Sequence, residues 1–370
     1  MKEKVISFLK KEVVLVVATI LAIISAFVVP PSEAYLAYID WRVLGLLLSL
    51  MIVMAGLQKC GLFDALGEAL LRKTKKVWQL CLVLILLCFF LSMIITNDVA
   101  LITFVPFAIV ALEKSGQIRL LVPVVVLQTV AANLGSMLTP IGNPQNLYLY
   151  NLSGFDMGEF LLCMLPNTLI SFVLILVSLA FIRGKGETVI ISAKEKEKVE
   201  TKYVIQYLFL FALSLGVVAK ILPYESVLMV VVLMVWVTDR KVLKNVDYCL
   251  LLTFISFFIF TGNLGNIPVI KETLQQLVEG REVLIGALAS QAISNVPAAL
   301  LLSGFTSDYR ALLFGVNIGG LGTLIASMAS LISYKIVANK YNEKKGNYFK
   351  WFTLVNVIYL VILLAINMLF

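Results

Sequence analysis

The 370-residue sequence contains no histidine, and charged residues make up only 14% of it. Without imidazole the chain lacks the commonest metal ligand and the side chain that usually titrates near neutral pH. Its five cysteines show no metal-ligand spacing and lie mostly inside apolar runs, where a thiol behaves as a small hydrophobe. No nucleophile motif occurs either. The sequence therefore predicts neither an enzyme nor a bound cofactor. The one metal ion that it leaves open is Na⁺, as a coupling ion.

Apolar residues, in contrast, make up 61% of the chain and give it a mean hydropathy of +0.99. This composition predicts an all-α polytopic membrane protein. The net charge of +8 lies in short basic clusters between apolar runs, which is typical of cytoplasmic loops and argues against a nucleic-acid partner. The predicted apolar segments are 13–29, 43–58, 77–96, 99–112, 120–150, 160–182, 203–222, 226–238, 248–264, 283–294, 296–304, 309–334 and 351–369. Between them, 60–71 and 267–279 are predicted to be interfacial amphipathic helices.

Residues 133–146 interrupt one of these runs with two prolines, two glycines and six amide or hydroxyl side chains. Hydrocarbon cannot satisfy freed backbone groups, so such a break survives only where protein buries it or where it lines a wet cavity. A similar pattern occurs at 317–323, where Asn, Gly and Thr recur 184 positions later. The matched pairs are Asn133 with Asn317, Gly135 with Gly319, and Thr139 with Thr323. Both 120–150 and 309–334 are therefore predicted to be broken helices.

Two further matches precede the breaks in the same order. Segment 95–101 corresponds to 293–299, which places Asn97 and Asn295 198 positions apart. Asp40-Trp41 corresponds to Asp247-Tyr248, each before an apolar helix. Three ordered matches indicate an internal duplication, and interrupted hydrophobic segments at corresponding positions of two halves point to the binding site of a transporter. The short segments after the two asparagines favour a re-entrant hairpin with its tip inside the protein in each half.

The distribution of basic residues predicts how the chain is oriented. The protein is predicted to lie in the inner (plasma) membrane of the cell with its amino terminus in the cytoplasm. In this orientation 25 of the 30 lysines and arginines face the cytoplasm. The carboxyl terminus is then outside. The hairpin around Asn97 opens from the cytoplasm and the one around Asn295 from outside, so the two repeats are inverted. The predicted divisions are 1–182 for the first repeat, 183–222 for a charged linker and connecting span, and 223–370 for the second repeat.

Each hairpin tip begins a new helix with residues that are good N-caps, and a helix N-terminus attracts an anion without needing a buried lysine or arginine. None of the four matched segments contains either residue. Unwound carbonyls could meanwhile hold a dehydrated cation. The alternative is that these residues only cap helices and let them pack closely. The predicted substrate-binding residues are Thr96, Asn97, Asn143, Pro144, Ser294, Asn295 and Thr323. The predicted coupling-ion residues are Asp98, Asn133, Gly135, Thr139, Gly142, Asn317 and Gly319.

Asp98 departs from the two-fold pattern, because Val296 is its counterpart. An ionisable group at membrane depth is costly and by default functional. We therefore interpret Asp98 as a ligand of the coupling ion, H⁺ or Na⁺. The alternative is a carboxylate that only caps its helix.

These motifs resemble those of the ion transporter superfamily, which includes arsenite permeases, related sodium/proton antiporters, and citrate and dicarboxylate transporters. Segments 96–101 (Thr-Asn-Asp-Val-Ala-Leu) and 294–301 (Ser-Asn-Val-Pro-Ala-Ala-Leu-Leu) resemble the hairpin motifs of the arsenite permease branch, and 133–146 is similar to the broken-helix motif. In the carboxylate transporters the tips read Ser-Asn-Thr and contact substrate carboxylate and Na⁺. The resemblance implies such roles for Thr96, Asn97, Ser294 and Asn295. It also implies a scaffold and a transport domain, elevator-like motion and often a homodimer.

Asp98 and Val296-Pro297 depart from the carboxylate-transporter motif, and a fixed carboxylate repels a dianion unless a cation neutralises it. The sequence as a whole predicts a secondary transporter that moves a small anion or oxyanion-type solute across the lipid bilayer by alternating access, coupled to H⁺ or Na⁺. One alternative is a Na⁺/H⁺ antiporter with Asp98 as the titrating ligand. An alternative of another class is an ion channel.

Overall fold

The structure is a computed structural model that describes residues 12–72, 74–182, 187–188 and 200–369. Within these residues the protein is helical, with no β-strand and one isolated bridge between Lys76 and Thr188. The first half contains α1 (Val13–Val28), α2 (Ala34–Tyr38), α3 (Trp41–Lys59), α4 (Leu62–Leu71), α5 (Val77–Ile95), α6 (Asn97–Lys114), α7 (Leu121–Gly135), α8 (Pro144–Ser153) and α9 (Met157–Ala180).

The remainder contains α10 (Thr201–Val218), α11 (Tyr224–Thr238), α12 (Arg240–Leu243), α13 (Tyr248–Gly265), α14 (Pro268–Val278), α15 (Glu282–Ile293), α16 (Asn295–Leu302), α17 (Tyr309–Gly319), α18 (Met328–Lys340) and α19 (Lys345–Leu369). Among the described residues, 7 helical segments are long and apolar enough to cross a membrane. The prediction of an all-α, multi-pass membrane protein is therefore confirmed. The two predicted amphipathic segments form α4 and α14.

The matched aspartates begin matched helices. Asp40 accepts a hydrogen bond from the backbone N–H of Val43 at 3.0 Å, and Asp247 accepts one from Leu250 at 3.1 Å. A carboxylate at this position satisfies a free N–H group of the first turn and is stabilised by the positive end of the helix. Helices α3 and α13 therefore begin in the same way in the two halves.

Both predicted helix breaks are present. Helix α7 ends at Gly135, a single 3₁₀ turn follows at Ser136–Leu138, and the chain is non-helical until Pro144 begins α8. Proline is favoured there because the first helical residue needs no N–H partner. In the second half α17 ends at Gly319 and α18 begins at Met328.

Both hairpin tips are present as well, at Thr96 and Ser294. The second hairpin has limbs of 12 and 8 residues, well short of the roughly 20 needed to cross a bilayer. The limbs of the first have 19 and 18 residues, so the predicted short segment 99–112 is wrong in length. Helix α6 extends two residues beyond that segment at each end: it begins directly after the tip, at Asn97, and in its last turn Glu113 accepts hydrogen bonds from Tyr341 and Lys340. The re-entrant character of the first hairpin stays a prediction.

Helix α7 lies at the centre of the molecule. The segment Ile118–Leu138 is almost wholly buried, whereas Asn342–Leu369 leaves most of its surface open to lipid. Helix α7 packs against α5, α6, α9, α18 and α19, which belong to both halves. The first break is therefore held inside protein on every side.

Polar contacts between loops fall into two groups. Lys59 pairs with Asp239, Lys340 with Glu113, and Arg119 with Glu187, and all six residues belong to ends predicted to be cytoplasmic. A separate group joins Lys220 to the carbonyl of Phe155 at 2.6 Å and Tyr150 to that of Val218 at 2.9 Å, at ends predicted to be outside. The assignment of each group to its side of the membrane stays a prediction, as do the boundaries of the repeats. Most of the linker 183–202 lies outside the described residues.

Candidate functional site

Each hairpin tip is fixed to the break of its own half. The backbone N–H of Asn97 donates to the carbonyl of Gly142 at 3.1 Å, and that of Asn295 donates to Ala326 at 2.9 Å. These acceptors are again 184 positions apart. Each tip and its break therefore form one rigid unit built twice.

The asparagine side chains, rather than Thr96 and Ser294, satisfy the first helical N–H groups. The Oδ1 atom of Asn97 accepts from Asp98 N at 2.9 Å, and that of Asn295 accepts from Val296 N at 3.0 Å. Thr96 and Ser294 make no side-chain cap and have φ angles of 70° and 75°. Of the polar tip residues predicted to cap the new helices, Asn97 and Asn295 therefore do so, whereas Thr96 and Ser294 do not.

Close helix packing fixes the glycines that end α7 and α17. A Cβ atom at Gly135 would lie 2.0 Å from the carbonyl oxygen of Phe89, and one at Gly319 would lie 2.7 Å from the Cα of Ala287. Real Cβ atoms do not approach so closely, so only glycine fits. Gly142 is constrained similarly, with a Cβ 2.0 Å from the carbonyl oxygen of Ser136. These three glycines shape the breaks.

Two threonines anchor the breaks to the hairpins in the same register. The hydroxyl of Thr139 donates to the carbonyl of Met93, and that of Thr323 donates to the carbonyl of Gln291 at 3.2 Å. Gln291 has an additional role, because its Nε2 donates to Gly319 O at 2.8 Å and its Oε1 accepts from Thr323 N at 2.9 Å. The second break is therefore held by a glutamine where the first has only a methionine.

Asn133 links the first break to the second half. Its Oδ1 atom accepts from Asn97 Nδ2 at 3.0 Å and from the hydroxyl of Ser327 at 3.1 Å. Its Nδ2 atom donates to the hydroxyl of Ser330 at 3.3 Å. Asn133 is only 3% exposed, so these bonds are made away from water. The start of α18 is thereby tied to the end of α7.

Asn317 forms the reciprocal link from the second half to the first. It donates to Asn146 Oδ1 at 2.7 Å and accepts from Asn143 Nδ2 at 3.2 Å. Asn143 also donates to the hydroxyl of Ser136 at 3.0 Å. Ser327 and Ser330 stand 184 positions after Asn143 and Asn146, so each asparagine bonds the equivalent residues of the opposite half. We call these seven residues the crossed asparagine cluster: Asn133, Asn143, Asn146, Asn317, Ser327, Ser330 and Ser136.

The structure therefore joins Asn97 to Asn133 and Asn143 to Asn317 by direct hydrogen bonds. The Ser136 hydroxyl connects the two pairs, because it accepts from Asn143 and donates to the carbonyl of Asn133. Ser294 approaches the second break through Ala326 O at 3.5 Å, and Thr323 through Gln291. Pro144 opens α8 next to this cluster. Asp98 is half-buried, and no residue in the described ranges donates a hydrogen bond to its carboxylate. That group remains open to a partner from outside the chain.

Sequence reasoning missed Ser327, Ser330 and Gln291. The register of 184 positions extends past Thr323. Applied to Asn143 and Asn146, it identifies Ser327 and Ser330. Gln291 gave no signal, because its counterpart in the first half is Met93.

Comparison of the sequence with known proteins identifies the family of this chain. Residues 4–308 match the model of the CitMHS family, described as citrate transporter. The chain belongs to the citrate transporter family. It is 30% identical to an uncharacterized transporter of Methanocaldococcus jannaschii over 91% of this chain and 92% of the relative. It is also 30% identical to an inner membrane protein of Escherichia coli, over 92% and 93% of the two chains.

A shorter similarity reaches a plant protein. The chain is 33% identical to a silicon efflux transporter of Oryza sativa subsp. japonica over 143 residues. This matched stretch covers 38% of this chain and 29% of that protein. The predicted membership in the ion transporter superfamily is confirmed. This member of the citrate transporter family is a multi-pass membrane transporter of the citrate transporter and arsenite permease type, and it is not an enzyme.

Proposed function

We propose that this transporter is a secondary carrier that moves a small anion or oxyacid by alternating access, driven by H⁺ or Na⁺. The observation that carries the proposal is the crossed asparagine cluster, which joins the two helix breaks at one place. A coupled carrier needs its solute site between two elements that can move relative to each other, and broken helices supply such a site. The cluster makes hydrogen bonds that can be exchanged for bonds to a solute.

The proposal includes inverted repeats, because two inverted halves provide a route to alternating access. The ends of the second hairpin meet where Thr306 donates to Glu282 at 2.9 Å. The first hairpin begins where Val77 N donates to the carbonyl of Glu187 at 3.0 Å, and its second limb ends at the pairing of Glu113. These positions were predicted to lie on opposite faces of the membrane. In the proposed cycle each hairpin closes the path to its own face.

The solute class follows from the donors near the breaks. Four helices, α6, α8, α16 and α18, begin at the tips and breaks, and each brings the partial positive charge of its N-terminus there. In α16 the first N–H groups are already paired, because Asn295 N donates to Ala326 and Val296 N donates to Asn295 Oδ1. No lysine or arginine occurs in 133–146, 293–299 or 317–327. Helix ends and amides alone suit a weakly charged solute better than a fully ionised polyanion. The family is described as citrate transporter and the rice relative as a silicon efflux transporter, so the candidate solutes include both citrate and silicon oxyacids.

Asp98 is the residue that we assign to the coupling ion. Its helix is already capped by Asn97, so the carboxylate is free to take a proton or to bind Na⁺. If Asp98 couples transport, Asp98→Asn will remove the dependence of uptake on the imposed H⁺ or Na⁺ gradient while leaving exchange of solute across the membrane. Full gradient-driven accumulation by Asp98→Asn would reject this role.

Proteoliposomes containing purified protein test the proposal. Labelled citrate, phosphate, arsenite and germanic acid, a silicic acid analogue, are offered with an inward H⁺ gradient, an inward Na⁺ gradient or no gradient. We expect accumulation of at least one solute with one gradient. A sodium-driven pH change with no solute present would instead support the antiporter alternative, and conductance without coupling would support a channel.

A further inference from the structure

Gln145 is a buried amide without a partner beside the crossed asparagine cluster. The side chain is 1% exposed, and neither its Nε2 nor its Oε1 has a hydrogen-bond partner within the described part of the chain. Its neighbours Asn143 and Asn146 bond to Asn317. Burying an amide with neither atom paired is strongly unfavourable, because both atoms lose their bonds to water. Such groups in a native protein call for an explanation.

The architecture of the break does not require an amide at this position. The residue of the second half in the same register is Ala329, which is the second residue of α18 as Gln145 is the second residue of α8. Alanine serves there without polar atoms. The cost of burying Gln145 is therefore specific to the first half and does not arise from building the fold.

The position of Gln145 suits contact with a solute. It lies in the first turn of the 10-residue helix α8, directly after Pro144. Pro144 has no N–H group and the N–H of Asn146 donates to Asn143 Oδ1 at 3.1 Å, so the partial positive charge of the helix start is what this turn brings to the break. An unpaired amide at such a helix start adds one donor and one acceptor to a place that already attracts oxygen atoms.

We propose that Gln145 contacts the transported solute, with Nε2 donating to an acceptor oxygen and Oε1 accepting from an O–H group. The solute class is then an oxyacid that keeps at least one proton, since a fully ionised carboxylate offers nothing to Oε1. This inference rests on the proposed transport function and narrows its solute class. Gln145 selects protonated or hydroxylated solutes over polyanions.

The test compares Gln145→Met, which keeps the shape of the side chain and removes both polar atoms, with Gln145→Glu. Tyr207→Phe is the matched control, because the Tyr207 hydroxyl in α10 is also buried and unpaired among the described residues. Arsenous acid, which is neutral at pH 7, and succinate, which is almost wholly a dianion there and carries no hydroxyl group, are the probes. Melting temperature with and without each probe is measured, together with KM and maximal rate in proteoliposomes.

We expect wild type to be stabilised by arsenous acid and not by succinate. Gln145→Met should melt at least as high as wild type without solute, lose the shift with arsenous acid, and raise KM at least tenfold. Gln145→Glu should lose uptake near neutral pH and regain part of it, relative to wild type, as acidification protonates the carboxyl and restores a donor. Tyr207→Phe should keep the wild-type KM.

Three results would overturn the inference: a wild-type KM in Gln145→Met, a lower melting temperature of that variant without solute, or stabilisation of wild type by succinate alone. Should Gln145→Met fail to assemble, as judged by gel filtration, the pH profile of Gln145→Glu decides. Absence of any solute uptake by wild type would instead reject the proposed transport function, so the two failures are distinguishable.

Discussion

Removing the side chain of Asn133 should weaken both the fold and the link between the two halves. In Asn133→Ala the partners at 3.0, 3.1 and 3.3 Å lose their hydrogen bonds in a buried place. A net value of about 1 kcal/mol for each bond gives a destabilisation of about 3 kcal/mol. The melting temperature should fall by on the order of 5 °C. Thermal unfolding of purified protein in detergent measures this.

The matched control is Asn367→Ala, which breaks a reciprocal amide pair with Asn167 at 2.8 and 2.9 Å away from the breaks. That site is half-exposed, so we expect a loss of about 1 kcal/mol. Asn133→Ala combined with Ser330→Ala should be less destabilising than the two single changes added together, by about 1 kcal/mol, because the residues share one bond. Strict additivity, or a melting temperature for Asn133→Ala equal to that of wild type, would refute the account of the cluster.

Three further predictions concern single residues. Gly135→Ala should prevent normal assembly, because its Cβ would lie 2.0 Å from the carbonyl oxygen of Phe89, whereas Gly61→Ala, with nothing within 4 Å, should yield folded protein on gel filtration despite its φ of 72°. Glu187 has its pKa lowered, first by a hydrogen bond from an arginine. The stability from that contact is present above the ordinary glutamate pKa and is lost as pH falls through the lowered value, so Glu187→Gln and wild type should melt alike in acid and differ slightly at neutral pH and low salt. Asp98→Asn should carry out solute exchange without gradient-driven accumulation, as counterflow in proteoliposomes will measure.

The breaks and tips could be predicted because they contradict their surroundings. Proline, glycine and amides within apolar runs have few explanations in a membrane, and the register between Asn133 and Asn317 reinforced the interpretation. The length of α6 could not be predicted in the same way. Its carboxyl end is held by the pairing of Glu113 with Lys340 of α18, a contact between segments distant in sequence.

The crossed hydrogen bonds were also beyond sequence reasoning. A repeat register shows which residues correspond, but an asparagine can bond within its own half or across to the other. Asn133 does both, with Asn97 in its own half and Ser327 in the other. Asn97 caps its helix next to Thr96, whose φ is positive, and a positive φ at threonine could not be predicted from the residue type. Burial of Gln145 without a partner likewise requires coordinates.

The central claim is that the two joined breaks form the transport site. The most direct test compares solute accumulation in proteoliposomes by Asn317→Ala and by Asn367→Ala, at equal amounts of folded protein. Both variants lose an amide, but only Asn317 joins the two breaks. Under an imposed H⁺ or Na⁺ gradient, wild type and Asn367→Ala should accumulate solute and Asn317→Ala should not. Accumulation by Asn317→Ala at the wild-type level would contradict the claim that the joined breaks form the transport site.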